Sequence, residues 1–295
     1  MSRIIVIVGP TGVGKTRMSI ELAKKLNGEV INADSTQVYK YMDVATAKAT
    51  VKEMEGIKHH LLDIKEIDED YSVYDFQKDA RTAINEIIMK DKTPIMVGGT
   101  GLYIKAALYN YEFNEGKKTN TYDNLTNEEL YNKLLQIDSN TNIHMNNRKR
   151  VIRAINYYEE NKIPLSSKQK SNELLYDAIF IGLTTDREVL YSRINKRVEI
   201  MIENGLLEEA KKIYDTNIRS KAVLTPIGYK ELFLYFNKQK NLDECIELIK
   251  QRSRRYAKRQ YTFFNNQMNI KWFNVDFDNF NNTVKNVLNY INNKN

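Results

Sequence analysis

Apolar positions along this chain follow two rhythms. Ile4-Ile5-Val6-Ile7-Val8 is an unbroken β-branched run, the pattern of a strand buried on both faces of a parallel sheet. After a glycine-rich stretch, Met18, Leu22, Ala23 and Leu26 recur at helical spacing, and Asn27-Gly28 supplies a stop. Residues 29–33 predict a second strand and residues 60–64 another. Residues 76–89 place Ala80, Ala83, Ile84, Ile87 and Ile88 on a helical period. Residues 94–97 read as a further strand ending at Gly98-Gly99-Thr100-Gly101. Strands alternating with helices predict an α/β fold with a parallel sheet.

The rhythm changes near residue 112. Residues 114–127 are polar, with the composition of a connecting segment. Residues 128–160 read as helical, until Pro164-Leu165-Ser166-Ser167 breaks the pattern. Residues 178–183 return to strand character. Beyond Asp186 the chain is mostly helical up to Ile270-Lys271-Trp272-Phe273. The expected organisation is a core of residues 1–111 and 176–295, with a helical C-terminal part. A small all-helical insertion of residues 112–175 interrupts it. The Asn-rich stretch at the end reads as compositional bias without a role.

At 295 residues the chain has room for a sizeable core. No apolar run approaches the roughly 18–20 residues of a membrane span. The five-residue run before the glycine loop is too short for a secretory h-region. A cytoplasmic protein without a membrane partner is expected. A single cysteine, Cys245, excludes an internal disulfide and a cysteine-rich zinc site. His59 and His60 would point to opposite faces of a strand, and with His144 they offer no metal set. The net charge of +7 gathers in two clusters. One is Arg148, Lys149, Arg150 and Arg153. The other is Arg252, Arg254, Arg255, Lys258 and Arg259, interleaved with Tyr256, Tyr261, Phe263 and Phe264. Such clusters suit a nucleic acid backbone and unstacked bases, although a solvated helix face accounts for either one alone.

The chemistry centres on Gly9-Pro10-Thr11-Gly12-Val13-Gly14-Lys15-Thr16, which fits the phosphate-loop pattern between a strand and a helix. Backbone N–H groups of such a loop cradle a phosphate at a helix N-terminus. Lys15 reaches terminal phosphate oxygens, and Thr16 helps hold Mg²⁺. Asp34-Ser35-Thr36-Gln37 follows the second strand and Gly98-Gly99-Thr100 another, so both belong to the edge where parallel sheets bind ligands. Asp34 there suits an acceptor ligand or a general base, and equally a helix N-cap. No acid ends the strand at Val97, where an ATPase would often hold Mg²⁺. Asp63 is the nearest candidate. Arg193 and Arg197, four apart on one helix face, suit a polyphosphate clamp. A small-molecule or nucleotide kinase shares the loop and the acid but needs no basic clusters. A nucleic-acid-binding module with a relic loop would not need Lys15, Thr16 and Asp34 intact.

Taken in order, these residues resemble the tRNA dimethylallyltransferases over roughly residues 4–273. The resemblance rests on the phosphate loop, Asp34-Ser35-x-Gln37-x-Tyr39, Thr46-Ala47-Lys48 and His59-His60-Leu61 with Asp63. It continues through Pro94-x-x-Val97-Gly98-Gly99-Thr100-x-Leu102-Tyr103, Ile143-His144, Arg150-x-x-Arg153-Ala154 and Arg193-x-x-x-Arg197. Ile227-Gly228-Tyr229-Lys230 and Arg254-x-Tyr256-Ala257-Lys258-Arg259-Gln260 complete it. It implies a P-loop core like that of nucleotide kinases. It also implies transfer of a dimethylallyl group from dimethylallyl diphosphate to N6 of the adenosine adjacent to the anticodon, with Mg²⁺. Diphosphate would then be a leaving group in the loop, which accounts for the missing metal-binding acid. The resemblance implies that Asp34, Thr100 and Arg197 act at the reacting centre. It assigns Gly9 to Thr16 to the diphosphate and Thr16 to Mg²⁺. It assigns Asp34, Ser35, Thr36, Gln37, Lys149, Arg150, Val151, Ile152, Arg153, Pro226, Ile227, Gly228, Tyr229 and Lys230 to a tRNA anticodon stem-loop. A monomer of bacterial type is expected. Ala45 stands where the family usually has glycine, Asn147 where it has aspartate, and Phe263 where tryptophan is common. Lys117 and Lys118 stand where an arginine near the diphosphate would be sought.

Overall fold

The structure, a computed structural model, describes residues 3–113, 120–167 and 173–294; Lys117 and Lys118 lie outside them. The chain divides into two compact units, Met1–Tyr109 with Leu174–Asn295, and Asn110–Glu173. The first half of the larger unit runs β1 (Ile4–Val8), α1 (Lys15–Lys25), β2 (Gly28–Asn32), the single turn α2 (Val51–Met54), β3 (His59–His60), α3 (Val73–Met89), β4 (Thr93–Val97) and α4 (Gly101–Leu108). The smaller unit holds α5 (Asn127–Ile137) and α6 (Arg148–Asn161). The larger unit resumes with β5 (Ala178–Thr184), α7 (Arg187–Glu203), α8 (Leu206–Asp215), α9 (Lys221–Leu224), α10 (Tyr229–Phe236), α11 (Leu242–Gln267), β6 (Lys271–Asn274) and α12 (Phe280–Asn292).

The sheet order is β3-β2-β4-β1-β5-β6, and every neighbouring pair is parallel. The expected α/β core is therefore present. Alternation across β1 explains its unbroken apolar run. Ile4, Val6 and Val8 join a core with Phe76, Ala80 and Ile84 of α3, while Ile5 and Ile7 join another with Met18 and Leu22 of α1. Because all strands point the same way, the loops after β1, β2 and β4 share one edge. Helix α3 starts at a reciprocal capping box. Ser72 Oγ accepts from the Asp75 N–H at 3.2 Å, and Asp75 Oδ2 accepts from the Ser72 N–H at 2.8 Å. Arg81 of the same helix donates to the carbonyls of Ala106, Ala107 and Tyr109, satisfying the end of α4.

Three sequence expectations need correction. The strand expected over residues 60–64 pairs only through His59 and His60, because Leu61 and Asp63 adopt φ of 62° and 53°, which ends a ladder. The helical stretch 128–160 is two helices, α5 and α6, packed through Leu130, Leu134, Val151, Ala154 and Ile155. The Asn-rich end contains α12, whose Phe280, Val284, Val287 and Ile291 form an apolar stripe in the core beside α1.

Candidate active site

The phosphate loop leaves the end of β1 and closes onto α1. Its last glycine, Gly14, caps the helix at φ 98°, where a side chain would be strained. A Cβ there would also come within 3.0 Å of the Phe280 ring. Lys15, the first residue of α1, turns back so that its Nζ donates to the Pro10 carbonyl at 2.9 Å. Burial, reinforced by the nearby Arg197 guanidinium, lowers the Lys15 pKa to about 7, against the opposing pull of Asp34. Arg197 comes from α7, is half-buried, and reaches Thr11 Oγ1 only at 3.5 Å. Burial lowers its pKa as well. Two cations with so little anionic compensation define an anion site. Arg193, one turn earlier, braces the loop. Its Nε donates to the Gly12 carbonyl at 3.2 Å, and its guanidinium lies 3.7 Å from the centre of the Phe277 ring.

Asp34 follows β2. Its Oδ1 accepts from the Thr36 N–H at 2.9 Å and from the Thr36 hydroxyl at 2.7 Å, a local turn closed by a carboxylate. No helix begins there, so the N-cap alternative falls. Oδ2 takes no hydrogen bond among the described residues and remains available to a substrate. Thr100 stands at the start of α4 without capping it. Its Oγ1 accepts from the Ser35 N–H at 3.2 Å, tying the loop after β4 to the loop after β2. Gln37 faces the other way along its loop. Its amide donates to the carbonyls of Thr46 at 2.9 Å and Ala47 at 3.3 Å.

A cavity of about 2070 Å³ opens over this edge. Thr11, Gly12, Gly14, Lys15 and Thr16 line it, with Asp34 to Gln37, Thr100, Arg197, Pro226, Ile227 and Lys230. Several residues expected at the site do not reach it. Gly9 and Pro10 lie outside the lining, and Val13 is wholly buried in the core. Gly228 and Tyr229 are buried behind the cavity wall, and the Tyr229 hydroxyl donates to Glu209 at 2.7 Å. Asp63 is held at 2.6 Å by Lys48 in an ion pair and does not line the cavity.

In the smaller unit, Lys149, Arg150 and Arg153 are exposed on α6. Val151 is fully buried and Ile152 partly so, which directs their side chains to the core of that unit. Arg148 is structural, donating to the carbonyls of Tyr122 and Leu125 at 2.7 and 2.8 Å. The second basic cluster is partly tied down in three dimensions. Arg252 pairs with the buried Glu231, and Arg254 donates to Asn195 at 2.6 Å. Of its aromatics, Phe264 is buried, Tyr261 bonds Thr184, and Phe263 packs on Gly101. Arg255, Lys258 and Arg259 remain exposed.

Sequence reasoning assigned no role to Glu209 or Gln260. The Glu209 carboxylate accepts the N–H groups of Asp43, Val44 and Ala45 at 2.8–2.9 Å, holding the loop after Gln37. The alanine found at position 45 fits there without a positive φ. Gln260 interrupts the buried stripe Ala257, Gln260, Phe264 of α11, and a polar residue on an apolar face is the signal that could have flagged it.

Comparison with known proteins places the whole chain. The family model for IPP transferases matches residues 37–267. The tRNA dimethylallyltransferase of Anoxybacillus flavithermus is 48% identical over 99% of this chain and 97% of its own, and that of Geobacillus kaustophilus is 50% identical over 92% and 90%. The crystal structure of the tRNA isopentenylpyrophosphate transferase of Staphylococcus epidermidis superposes with a TM-score of 0.77 at 42% identity, covering all of both chains. A eukaryotic dimethylallyltransferase captured acting on tRNA gives 0.81 at 34% identity, over 93% of this chain and 74% of its own. The chain belongs to the tRNA dimethylallyltransferase family.

Proposed function

We propose that this protein transfers a dimethylallyl group from dimethylallyl diphosphate to N6 of the adenosine adjacent to the anticodon of tRNA, releasing diphosphate. One observation carries the reading: a pair of half-buried cations beside the phosphate loop and a carboxylate with a free oxygen line the same cavity. A kinase would share the loop, but membership of this family favours the prenyl transfer.

The exocyclic amine of adenine is a weak nucleophile inside a stacked base, so the base must leave the stack to react. N6 attacks C1 of the dimethylallyl chain while the C1–O bond to diphosphate breaks. Asp34 Oδ2 accepts the proton that N6 loses. Lys15, Arg197 and the loop N–H groups receive the charge that grows on the leaving oxygen. Thr100 orients the Asp34–Ser35 turn by accepting the Ser35 N–H. The Thr16 hydroxyl lines the cavity and takes no hydrogen bond among the described residues, so it suits Mg²⁺. The described residues offer no cluster of three acids, histidines or cysteines for a metal, so the diphosphate oxygens would supply most of its ligands. Bound there, Mg²⁺ would neutralise charge on the diphosphate.

Ser35, Thr36, Gln37, Pro226, Ile227 and Lys230 would meet the anticodon loop, and Lys149, Arg150 and Arg153 the stem backbone. Gly228 and Tyr229 would serve as the buried support of their segment. A monomer acting in the cytoplasm agrees with this substrate, and no described helix is long and apolar enough to cross a membrane.

The test is a transfer assay with radiolabelled dimethylallyl diphosphate, Mg²⁺ and an unmodified anticodon stem-loop, beside the same loop with the target adenosine changed to guanosine. Label in the adenosine loop alone is expected. No label in either loop, or in full-length unmodified tRNA, refutes the reading.

A further inference from the structure

The last rung between β1 and β4 is the Gly98 N–H donating to the Ile7 carbonyl at 3.2 Å. Beyond it the two strands part into the phosphate loop and the loop carrying Thr100. Gln260, reaching across from α11, supplies one more rung with its side chain. Its Oε1 accepts from the Thr11 N–H at 2.9 Å, and its Nε2 donates to the Gly99 carbonyl at 3.1 Å. Only one orientation of the amide satisfies both, since the flipped one would set donor on donor and acceptor on acceptor. The approach depends on a missing side chain, because a Cβ on Gly99 would fall 2.0 Å from the Gln260 amide nitrogen. Tyr256, four residues earlier on the same helix face, lines the same cavity as Gln260 and Thr100.

We infer that Gln260 is a positioning residue that fixes the spacing between the donor loop and the acceptor loop. This rests on the proposed transfer reaction. Thr11 belongs to the loop assigned to the diphosphate and is the residue Arg197 approaches. Gly99 leads into Thr100, which holds Ser35 beside Asp34. The rung therefore joins the group that receives the leaving oxygen to the group that receives the N6 proton. In a displacement, the forming C–N bond and the breaking C–O bond must lie in line. A change in that spacing acts on the chemical step and not on the binding of either substrate.

The test compares Gln260→Glu and Gln260→Met with the unaltered chain in single-turnover transfer from dimethylallyl diphosphate to the stem-loop between pH 5.5 and 8. At pH 8 both variants should lose about 10- to 100-fold in kcat, the scale of a small misplacement, with little change in KM for either substrate. The glutamate variant should differ from the methionine one in its pH profile. A protonated carboxyl can accept from Thr11 and donate to the Gly99 carbonyl, whereas a carboxylate faces that carbonyl with like charge. Its rate relative to the unaltered chain should therefore rise as pH falls, and the methionine variant's should stay flat. Unaltered kcat in either variant, a loss confined to KM, or a pH-flat ratio for Gln260→Glu overturns the inference. If the glutamate variant does not fold, judged by its melting curve, the split between kcat and KM in Gln260→Met decides. Absence of transfer by the unaltered chain overturns the proposed function, and this inference with it. Transfer by the unaltered chain with unaffected variants overturns this inference alone.

Discussion

Two residues carry opposite protonation demands within one cavity. Lys15 has its pKa lowered to about 7 by burial and by Arg197, so near neutral pH it holds only part of a proton while the site is free of anion. A diphosphate beside it would favour the charged form and raise that pKa. Donor binding should accordingly take up a proton, approaching one at pH 8, and affinity should fall as pH rises above about 7. Calorimetric titration of dimethylallyl diphosphate in two buffers of different ionisation enthalpy measures this. Equal heats in both buffers, or the same difference in Lys15→Met, would exclude Lys15 as the proton's destination. Asp34 calls for a different substitution. Asparagine keeps an Oδ1 for the Thr36 turn and removes the base. Asp34→Asn should lower kcat by about 10²- to 10⁴-fold, the usual worth of a general base, with stem-loop binding retained. Binding that falls in step with rate would make Asp34 a folding residue of its loop.

At the scale of elements, the phosphate loop depends on a helix that follows it by more than two hundred residues. Phe280 of α12 is 4% exposed, fills the space left by Gly14, and carries the Arg17 guanidinium 4.5 Å above its ring. Removing a large buried ring costs about 3–5 kcal/mol. Phe280→Ala should lower the urea midpoint by that margin with an unchanged m-value, and should also weaken donor binding. A loss below 1 kcal/mol would mean that α12 is a dispensable cover. The stripe of Phe280, Val284, Val287 and Ile291 has helical period, but asparagines between its members hide it from a composition-based reading. By contrast β1 and α1 were legible because glycine, lysine and threonine at fixed spacing admit few local structures.

At the scale of the molecule, the charge of the chain divides by function. Arg148 holds the smaller unit together through backbone carbonyls, whereas Arg150, two residues on along α6, is exposed. Each phosphate that a protein neutralises adds about one to the steepness with which log K falls against log salt. Arg150→Ala should therefore flatten the salt dependence of stem-loop binding by about one. Arg148→Ala should destabilise the unit and leave the slope nearly intact. An unchanged slope for Arg150→Ala would take that residue out of the RNA interface.

The sequence by itself determined the parallel α/β core, the phosphate loop and the acid after β2. Each is set by local rules: side-chain period, glycine at strained dihedrals, and the fixed edge on which parallel strands end. Only the tertiary structure decided which basic residues are free. Arg252 and Arg254 look like RNA ligands in sequence and are consumed by Glu231 and Asn195, because partners distant along the chain converge on α11. It likewise separated Val151 and Tyr229 from the ligand surface, since a contiguous motif on a helix turns every third or fourth residue into the core. The sequence marked Gln260 only as a polar residue on an apolar helix face and said nothing of the rung it forms. Its two partners, Thr11 and Gly99, lie 249 and 161 residues away, and only folding makes them neighbours.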